Sequence, residues 1–288
     1  MYIHGNNLQQ KEGGDKYSSP KCKALLAEIR PVYDKWRMDN EAIYGPIGVA
    51  SDGDKATLKR RVELLNEYKN FIEERRFVEA FDSRSNLQSS ALEEFMYYLF
   101  ADLIKSISPN ALVGKSHSFK DIFFRPPSFS EMLLKPHAFV EKKDHDFAIG
   151  VSVNASLVTK GAVASEPEKW DLPAVAIECK TYLDKTMLQD VSTAAEELKL
   201  RNPNAMYIVV AEWLKLTESV NLKKTKIDQI YILRKQKNSD REVRLRPEYV
   251  KNQIFDDVVE HLFTTVRDHL TKPWGGSIAA GLAKGVLL

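Results

Sequence analysis

The sequence predicts an α/β (α+β) fold, in which a mixed central sheet is flanked by helices and follows a helical N-terminal region. Apolar residues recur at helical spacing through the first third of the chain, and short apolar runs rich in β-branched residues come later. A helical segment separates two of these runs, as in a parallel strand pair. With 288 residues, of which 43% are hydrophobic, the chain can fill a large core.

Three helices are predicted in the N-terminal part. The segments are "KCKALLAEIRPVYDKWRMDNEAIYG", with Pro31 interrupting or kinking it, "DKATLKRRVELLNEYKNFIEERRFVEAF" and "SALEEFMYYLFADLIKSI". Glycine, proline and serine in "YGPIGVASDGD" mark a loop between the first two. Residues 1–20 are polar and rich in glycine, asparagine and serine, so we expect a mobile or loosely docked arm there.

Four strands are predicted in the later part of the chain. They are "DFAIGVSV", "AVAIECKTYL", "AMYIVVAEWL" and "DQIYILRK". The helix "DKTMLQDVSTAAEELKLRNP" lies between the second and the third, with Asp184 as its N-cap and Pro203 after its end. A last helix, "RPEYVKNQIFDDVVEHLFTTVRDHL", is predicted to begin near Pro247.

Composition limits the classes of protein that remain. The 42 basic and 40 acidic residues give a net charge of +2, so a basic surface for nucleic acid has to be local. The two cysteines do not suggest a disulfide framework, and the N-terminus lacks the pattern of a secretory signal. No apolar run approaches the roughly 18 to 20 residues that span a bilayer. We therefore expect a soluble cytoplasmic protein with no membrane partner.

A charged pair interrupts the apolar strand "AVAIECKTYL". Because side chains alternate faces along a strand, Ile177 and Cys179 point to one side and Glu178 and Lys180 to the other. One interpretation is a surface salt bridge, which contributes about 0 to 1 kcal/mol. The other is a functional site on the face that carries the two charges, and the pair alone does not decide between them.

Asp146 in "KKDHDFAIGVSV" makes the functional interpretation more attractive. It directly precedes an apolar run, so its carboxylate can project from a strand end towards Glu178 on a neighbouring strand; Asp144 competes for the same role. Two converging carboxylates suit Mg²⁺, which binds one or two protein carboxylates together with water and phosphate. A lysine beside them can orient or help to deprotonate an attacking water and neutralise charge on a phosphate.

A third carboxylate comes from the helix "SALEEFMYYLF". At 100° per residue, Glu93 lies on the flank of the apolar face and can reach a site at the edge of the core, whereas Glu94 faces solvent. The alternative for Glu93 is a capping box with Ser90, in which it only satisfies the start of the helix.

The order of these segments resembles the PD-(D/E)XK nuclease core. The words "SSALEEFMYYLF", "KKDHDFAIG" and "IECKTYLDKTMLQD" are most similar to type II restriction endonucleases of the BbvCI-like group, which cut asymmetric sites with two different subunits. The resemblance covers residues 80–235. It departs from the family motif where His145 replaces the usual proline before Asp146.

The resemblance implies roles for individual residues. Asp146 and Glu178 would be metal ligands, with the Cys179 carbonyl as a third. Lys180 would activate the water. Two further residues would assist, namely Glu93 as the auxiliary acid and Gln189 as a support early in the following helix. For Gln189 an exposed helical glutamine is the alternative.

The implied activity is Mg²⁺-dependent, sequence-specific hydrolysis of double-stranded DNA that leaves 5′-phosphate ends. One site per chain cuts one strand, so a second endonuclease subunit, different or identical, is expected in a hetero-oligomer or homo-oligomer. Residues 1–85 would form a helical DNA-recognition or subunit-contact lobe, and residues 86–288 the catalytic core with a C-terminal helix and tail. Two alternatives remain, a non-catalytic DNA-binding or assembly subunit and a structure-specific repair nuclease of the same superfamily.

Candidate DNA contacts lie in two local segments. Residues 221–246 carry nine basic and three acidic residues, which suits a phosphate backbone as well as a solvated hairpin. Residues 155–173 are longer than an ordinary hairpin loop. The predicted contacts are Arg84, Lys160, Lys169, Lys223, Lys224, Lys226, Arg234 and Lys235. Some of the N-terminal arginines, among them Arg37, Arg60, Arg61, Arg75 and Arg76, are also expected to contact bases or phosphates.

Overall fold

The computed structural model describes residues 2–81, 85–237, 241–246, 248–274 and 278–285. Its helices are α1 (Ile3–Gly13), α2 (Pro20–Glu41), α3 (Asp54–Ile72), α4 (Arg75–Ala80), α5 (Ser90–Ile107), α6 (Phe129–Leu134), α7 (Lys185–Arg201), α8 (Arg241–Arg244), α9 (Asp256–Thr271) and α10 (Ile278–Lys284). The strands are β1 (Leu112–Phe124), β2 (Ala138–Val158), β3 (Ser165–Leu183), β4 (Met206–Leu214) and β5 (Gln229–Ile232). No helix within these ranges is both long and apolar enough to cross a membrane.

A single mixed sheet has the strand order β1-β2-β3-β4-β5. The first three strands pair antiparallel, whereas β3, β4 and β5 run parallel, with α7 between β3 and β4. The α/β (α+β) class with a mixed central sheet is therefore confirmed. Strand β1 was not predicted, because its polar residues conceal the alternation of buried Ser116 and Ser118 with exposed neighbours.

Helices pack on both faces of the sheet. Val175, Ile177 and Cys179 of β3 join the larger core, which also contains residues of α1 to α5 and α9. Ala176 and alternate residues of β4 pack instead on α7 in a smaller core. The predicted alternation of β3 is thus observed, and the face of Glu178 is the face that α7 covers.

The N-terminal segment is a docked helix, so the expectation of a loose arm was wrong. His4 and Leu8 of α1 are fully buried, and the His4 ring lies 2.8 Å from Ser90 Oγ and 2.5 Å from the Tyr68 hydroxyl. Burial holds the pKa of His4 well below its usual value. A Cβ atom on Gly5 would lie 2.2 Å from the Tyr33 hydroxyl, so glycine permits this close approach.

Glu94 anchors α1, which corrects the prediction that it faces solvent. Its carboxylate is fully buried and accepts hydrogen bonds from the backbone N–H groups of His4 (2.8 Å) and Gly5 (3.1 Å). The hydroxyls of Tyr33 and Tyr98 donate to it at 3.0 and 2.6 Å. The carboxylate therefore satisfies the unpaired N–H groups at the start of α1, where negative charge is favoured.

Three helices differ from the sequence prediction, and the second predicted helix is divided into α3, which ends at Ile72, and α4, which begins at Arg75. Helix α2 continues through Pro31, which lies inside its 22 residues. The segment predicted as one C-terminal helix, residues 246–270, is helical among its described residues only from Asp256, where α9 begins after the extended Phe255. Pro247, the predicted start, lies outside the described residues.

A buried ion network joins α3 to the end of β4. The Lys69 ammonium lies 2.6 Å from Glu212 Oε1 and 2.8 Å from Glu73 Oε1. The Arg234 guanidinium lies 2.9 Å from Glu212 Oε2 and 3.4 Å from Glu73 Oε2, which also pairs with Lys251 at 2.9 Å. Since Lys69, Glu212 and Arg234 are fully buried, each charge depends on its partners.

The outer parts of β1 and β2 form an extension that we call the hairpin arm, residues 119–142 with α6 at its end. Phe123 and Phe139 stack across it with ring centroids 5.4 Å apart. Helix α6 has no buried residue, and its large apolar side chains are 45 to 72% exposed. The hairpin arm therefore presents an apolar surface that the described residues leave uncovered.

Candidate active site

A β-bulge in β2 positions Asp146. Gly114 of β1 pairs with Ala148 and Ser116 pairs with His145, so Asp146 and Phe147 together lie opposite Lys115. Such an extra residue bends the strand and redirects side chains. Phe147 enters the larger core, while the Asp146 carboxylate lies against the backbone of β3, where the Cys179 N–H donates to Oδ2 at 2.9 Å.

Lys180 bridges the two carboxylates that the sequence analysis singled out. Its ammonium lies 2.9 Å from Asp146 Oδ2 and 2.9 Å from Glu178 Oε2. The other Glu178 oxygen, Oε1, lies 3.2 Å from Nδ1 of the buried His145. The structure thus brings Asp146, Glu178 and Lys180 into direct contact; their roles in catalysis stay predictions.

The ionisation of these groups is strongly perturbed. Although burial disfavours the Glu178 carboxylate, the contacts of His145 and Lys180 hold its pKa at about 2. Burial and the Glu178 charge raise the pKa of Asp146, and burial of Lys180 is outweighed by Glu178 and Asp146, so its pKa is raised too. Lys180 is therefore an ammonium at neutral pH, and it can donate hydrogen bonds but cannot accept a proton.

Glu93 faces this cluster from α5. It is half-buried, and burial together with the Asp146 charge raises its pKa to about 7. The capping box does not form: the Ser90 hydroxyl donates to the Asn86 carbonyl at 2.5 Å and contacts His4, and α5 has no side-chain cap. The competing interpretation of Glu93 is therefore excluded, and its assisting role stays a prediction.

The donor set fits a divalent cation. Three carboxylates, Glu93, Asp146 and Glu178, lie near the Lys180 ammonium, and burial, followed by the charge of a neighbouring carboxylate, raises the pKa values of Glu93 and Asp146. Within the described ranges no group of three or more His, Cys, Asp and Glu side chains is arranged to hold a metal. Mg²⁺ needs only one or two protein carboxylates, so Asp146 and Glu178 would be enough to hold it.

Two residues behind the site, His145 and Tyr207, were not predicted from the sequence. His145 is fully buried, and its ring packs edge-on to Tyr207 of β4 at 5.7 Å. Burial and the charge of Glu178 raise the pKa of Tyr207 far above its usual value. The signal in the sequence was the histidine that replaces the usual proline, since it supplies a hydrogen-bond donor to Glu178.

Other predicted site residues lie apart from this cluster. Asp144 is exposed and contacts the His117 ring at 2.6 Å, so Asp146 and not Asp144 joins Lys180. Gln189 is an exposed residue on α7, which agrees with the alternative interpretation of it as an exposed helical glutamine. The Cys179 thiol is buried in the larger core, and burial raises its pKa well above the usual value. A ligand role for the Cys179 carbonyl stays a prediction.

The predicted DNA contacts divide into three groups. Lys160, Lys169, Lys223, Lys224 and Lys226 are exposed and stay predictions, as does Lys235, which pairs with Asp257. Arg84 lies outside the described residues. The assignment of Arg234 was wrong, because its guanidinium is buried on Glu212 and cannot contact a phosphate backbone.

Two further expectations about DNA contacts need correction. Arg61 is 2% exposed and donates to the carbonyls of Asn40, Ile43 and Gly45, so it supports the loop after α2. The segment 155–173 is mostly the paired ends of β2 and β3, with a loop only over residues 159–164. Its alternating polar and apolar residues were the signal for strands.

A mixed sheet in which a bulged strand brings Asp146 beside the Glu178-x-Lys180 strand is the arrangement expected of a PD-(D/E)XK nuclease core. Residues 84–274 match the family described as Bpu10I restriction endonuclease, and the chain belongs to that family. It is therefore a type II site-specific deoxyribonuclease, which confirms the resemblance stated from the sequence.

A solved structure supports the fold independently. A chain of the native BbvCI A2B2 tetramer matches with a TM-score of 0.72 and 20% identity, covering 95% of this chain and 99% of that one. No curated protein sequence matches the chain. The helical N-terminal region is included in the structural match, so it is part of the shared fold.

Proposed function

We propose that this chain is the subunit of a Mg²⁺-dependent restriction endonuclease that hydrolyses one strand of a specific DNA site and leaves a 5′-phosphate. The observation that carries the proposal is the contact of Lys180 with both Asp146 and Glu178 at 2.9 Å. A surface salt bridge needs one carboxylate, whereas here two carboxylates and the nearby Glu93 share one ammonium.

Each residue has a defined task in this proposal. Asp146 and Glu178 would hold the cation, and His145 contacts the second Glu178 oxygen while Oε2 accepts from Lys180. Mg²⁺ bound there would stabilise charge on the phosphate and favour ionisation of the attacking water. The Lys180 ammonium donates hydrogen bonds to that water or to the phosphate, and Glu93 assists from α5.

Plasmid cleavage tests the proposal. We expect linear or nicked products at fixed positions when the chain and its partner subunit are incubated with Mg²⁺, and no products when EDTA removes the metal. End labelling should succeed with polynucleotide kinase only after phosphatase treatment, since the expected ends carry 5′-phosphate. Equal cleavage with and without EDTA contradicts metal dependence, and DNA binding without cleavage under any condition favours a non-catalytic subunit.

A break in both strands requires a second endonuclease subunit. We place the docking surface for that subunit on the hairpin arm. Helix α6 has six residues, too few to be stable without packing, yet Phe129 is 72% exposed and Leu133 is 54% exposed. Exposed apolar patches of this kind mark protein interfaces. The BbvCI protein, which shares the fold, is an A2B2 tetramer. We therefore assign the apolar surface of α6 to a second endonuclease subunit.

Replacing Phe129 and Leu133 with serine is expected to reduce the mass of the assembled enzyme. The substitutions remove two of the four exposed apolar side chains of α6 without disturbing a buried contact, because none of its residues is buried. Light scattering after size-exclusion chromatography measures the mass. The matched control is Val163→Ser, since Val163 is fully exposed in the loop between β2 and β3. An unchanged mass in the double variant contradicts this interface.

A further inference from the structure

Lys115 of β1 lies directly beside the bulge that positions Asp146. The bulge places Asp146 and Phe147 together opposite Lys115. Gly114, the preceding residue, has a φ of +131°, a positive value that glycine adopts readily. Because neighbouring strands are about 5 Å apart, Lys115 begins one strand spacing from the strand that carries Asp146. Strand β1 therefore brings a further cation next to the candidate active site.

The Lys115 side chain is exposed on one face of β1. Ser116 and Ser118 are buried, and Ser118 lines a small pocket together with Ala194 of α7. Since side chains alternate faces along a strand, Lys115 and His117 lie on the face that α7 does not cover. The Lys115 side chain is 50% exposed, so a ligand can reach its ammonium from solvent.

The charge of Lys115 acts on a carboxylate of the site. Burial raises the pKa of Glu93 to about 7, and the positive charges of Lys180 and Lys115 oppose that rise. Strand β2, which carries Asp146, lies between β3 and β1, which carry these two lysines. Lys180 and Lys115 therefore approach the carboxylates from opposite sides of β2.

The ion pair of Lys115 is a loose one. Its ammonium lies 3.9 Å from Asp144 Oδ2, which is beyond hydrogen-bond distance. The other oxygen of Asp144 is closer to the His117 ring, at 2.6 Å from Nδ1. Exposed pairs of this kind contribute little, whereas a lysine ammonium forms stronger hydrogen bonds with a phosphate in direct contact. A phosphate can therefore replace Asp144 as the partner of Lys115.

We propose that Lys115 binds the phosphate next to the scissile phosphate on the cleaved DNA strand. The inference rests on the proposed function, because it requires a scissile phosphate held at Asp146 and Lys180. A DNA strand that passes from β3 across β2 then brings its next phosphate to β1. Lysine contacts a phosphate as a point charge and reads no base. Lys115 thus fixes the position of the cleaved strand and leaves sequence recognition to other residues.

Uncharged phosphates test the proposal on the assembled enzyme. Once plasmid cleavage has mapped the site, each phosphate near the cut is replaced in turn by a methylphosphonate, and Kd is measured with Ca²⁺ in place of Mg²⁺. We expect one position beside the cut at which the replacement weakens wild-type binding about tenfold. Lys115→Ala should bind unmodified DNA about tenfold more weakly, and the methylphosphonate at that position should then change its Kd less than twofold.

Lys143→Ala is the matched control. Lys143 is also an exposed lysine of the β1 and β2 pair, but it lines the pocket beside α7 on the other face of the sheet. This variant should keep the tenfold loss at the same position. Lys115→Arg keeps the positive charge and should keep the loss as well.

The outcomes separate this inference from the proposed function. If the wild type tolerates a methylphosphonate at every position beside the cut, or if Lys115→Ala keeps every loss that the wild type shows, the inference fails although cleavage still stands. If the wild type does not cut plasmid DNA with Mg²⁺, the proposed function fails instead. Comparing two DNAs within one variant guards against a folding defect, because misfolded protein weakens both Kd values alike.

Discussion

Alanine in place of Lys180 is expected to lower the rate of DNA cleavage by about 10²- to 10³-fold, which is the typical cost of removing one charge-stabilising donor at a reaction centre. The variant loses the ammonium that bridges Asp146 and Glu178, and with it the donor that we propose for the reacting phosphate. Binding of uncut DNA should be weakened far less, because this lysine acts on the reacting phosphate and not on the whole duplex. Single-turnover cleavage and a separate binding titration measure the two effects.

Glu178→Gln should reduce cleavage to a similar extent. The amide keeps the size of the side chain but removes the negative charge that a divalent cation needs. Raising the Mg²⁺ concentration should partly restore the Glu178→Gln variant and not Lys180→Ala, since only the former loses a proposed metal ligand.

The chain contains its own control for these two changes. Glu141 and Lys143 lie on a strand with the same spacing as Glu178 and Lys180. Both are exposed, and Glu141 pairs with Lys120. Glu141→Gln and Lys143→Ala should cleave as the wild type does. Full activity of Lys180→Ala and Glu178→Gln in this comparison would place the catalytic centre elsewhere.

The largest effect on stability is expected at Arg234. Arg234→Ala should lower the free energy of unfolding by about 3 to 5 kcal/mol, because it leaves the buried Glu212 and Glu73 short of positive charge. The change also removes the hydrogen bond that the guanidinium donates to the Asn252 carbonyl at 2.7 Å. Denaturant titration followed by fluorescence or circular dichroism measures the difference.

Lys235→Ala is the neighbouring control. Lys235 is exposed, and its contact with Asp257 is a surface ion pair that contributes about 0 to 1 kcal/mol. If Arg234→Ala and Lys235→Ala lower the free energy of unfolding equally, the Arg234 network contributes no more to stability than a surface ion pair does. Arg234→Lys separates charge from geometry, because lysine keeps the charge but cannot make the same set of hydrogen bonds.

The sequence was most informative where local patterns decide the structure. The alternation in "AVAIECKTYL" correctly predicted which residues of β3 enter the larger core, and the parallel pair β3 and β4 followed from the helix between them. Glu178 and Lys180 could be grouped because they share one face of a strand, but the expectation that Asp146 projects from a strand end was wrong, since β2 extends from Ala138 to Val158. The convergence of Asp146 with them depends on a bulge at Asp146 and Phe147, which no residue type in "KKDHDFAIG" announces.

The features that were not predicted from the sequence depend on contacts between residues that are far apart in the chain. Helical periodicity placed Glu94 towards solvent, but α1 covers that face of α5 and supplies N–H groups to the carboxylate. Arg234 lies in a basic segment, yet Glu212 and Glu73 draw it into the interior. In both cases a charged side chain is buried by partners that are 22 to 161 residues away in the chain.

The larger core places Leu8 of α1 and Val266 of α9 against the face of the sheet opposite to the one that carries Glu178 and Lys180. Contacts over such sequence distances form only after most of the chain is available, which slows folding. During synthesis, Lys180 leaves the ribosome long before α9 does, so its strand then lacks one of the helices that cover it. Assembly of the reaction centre is thereby tied to near-completion of translation, and a truncated nuclease fragment lacks the support that a working site requires.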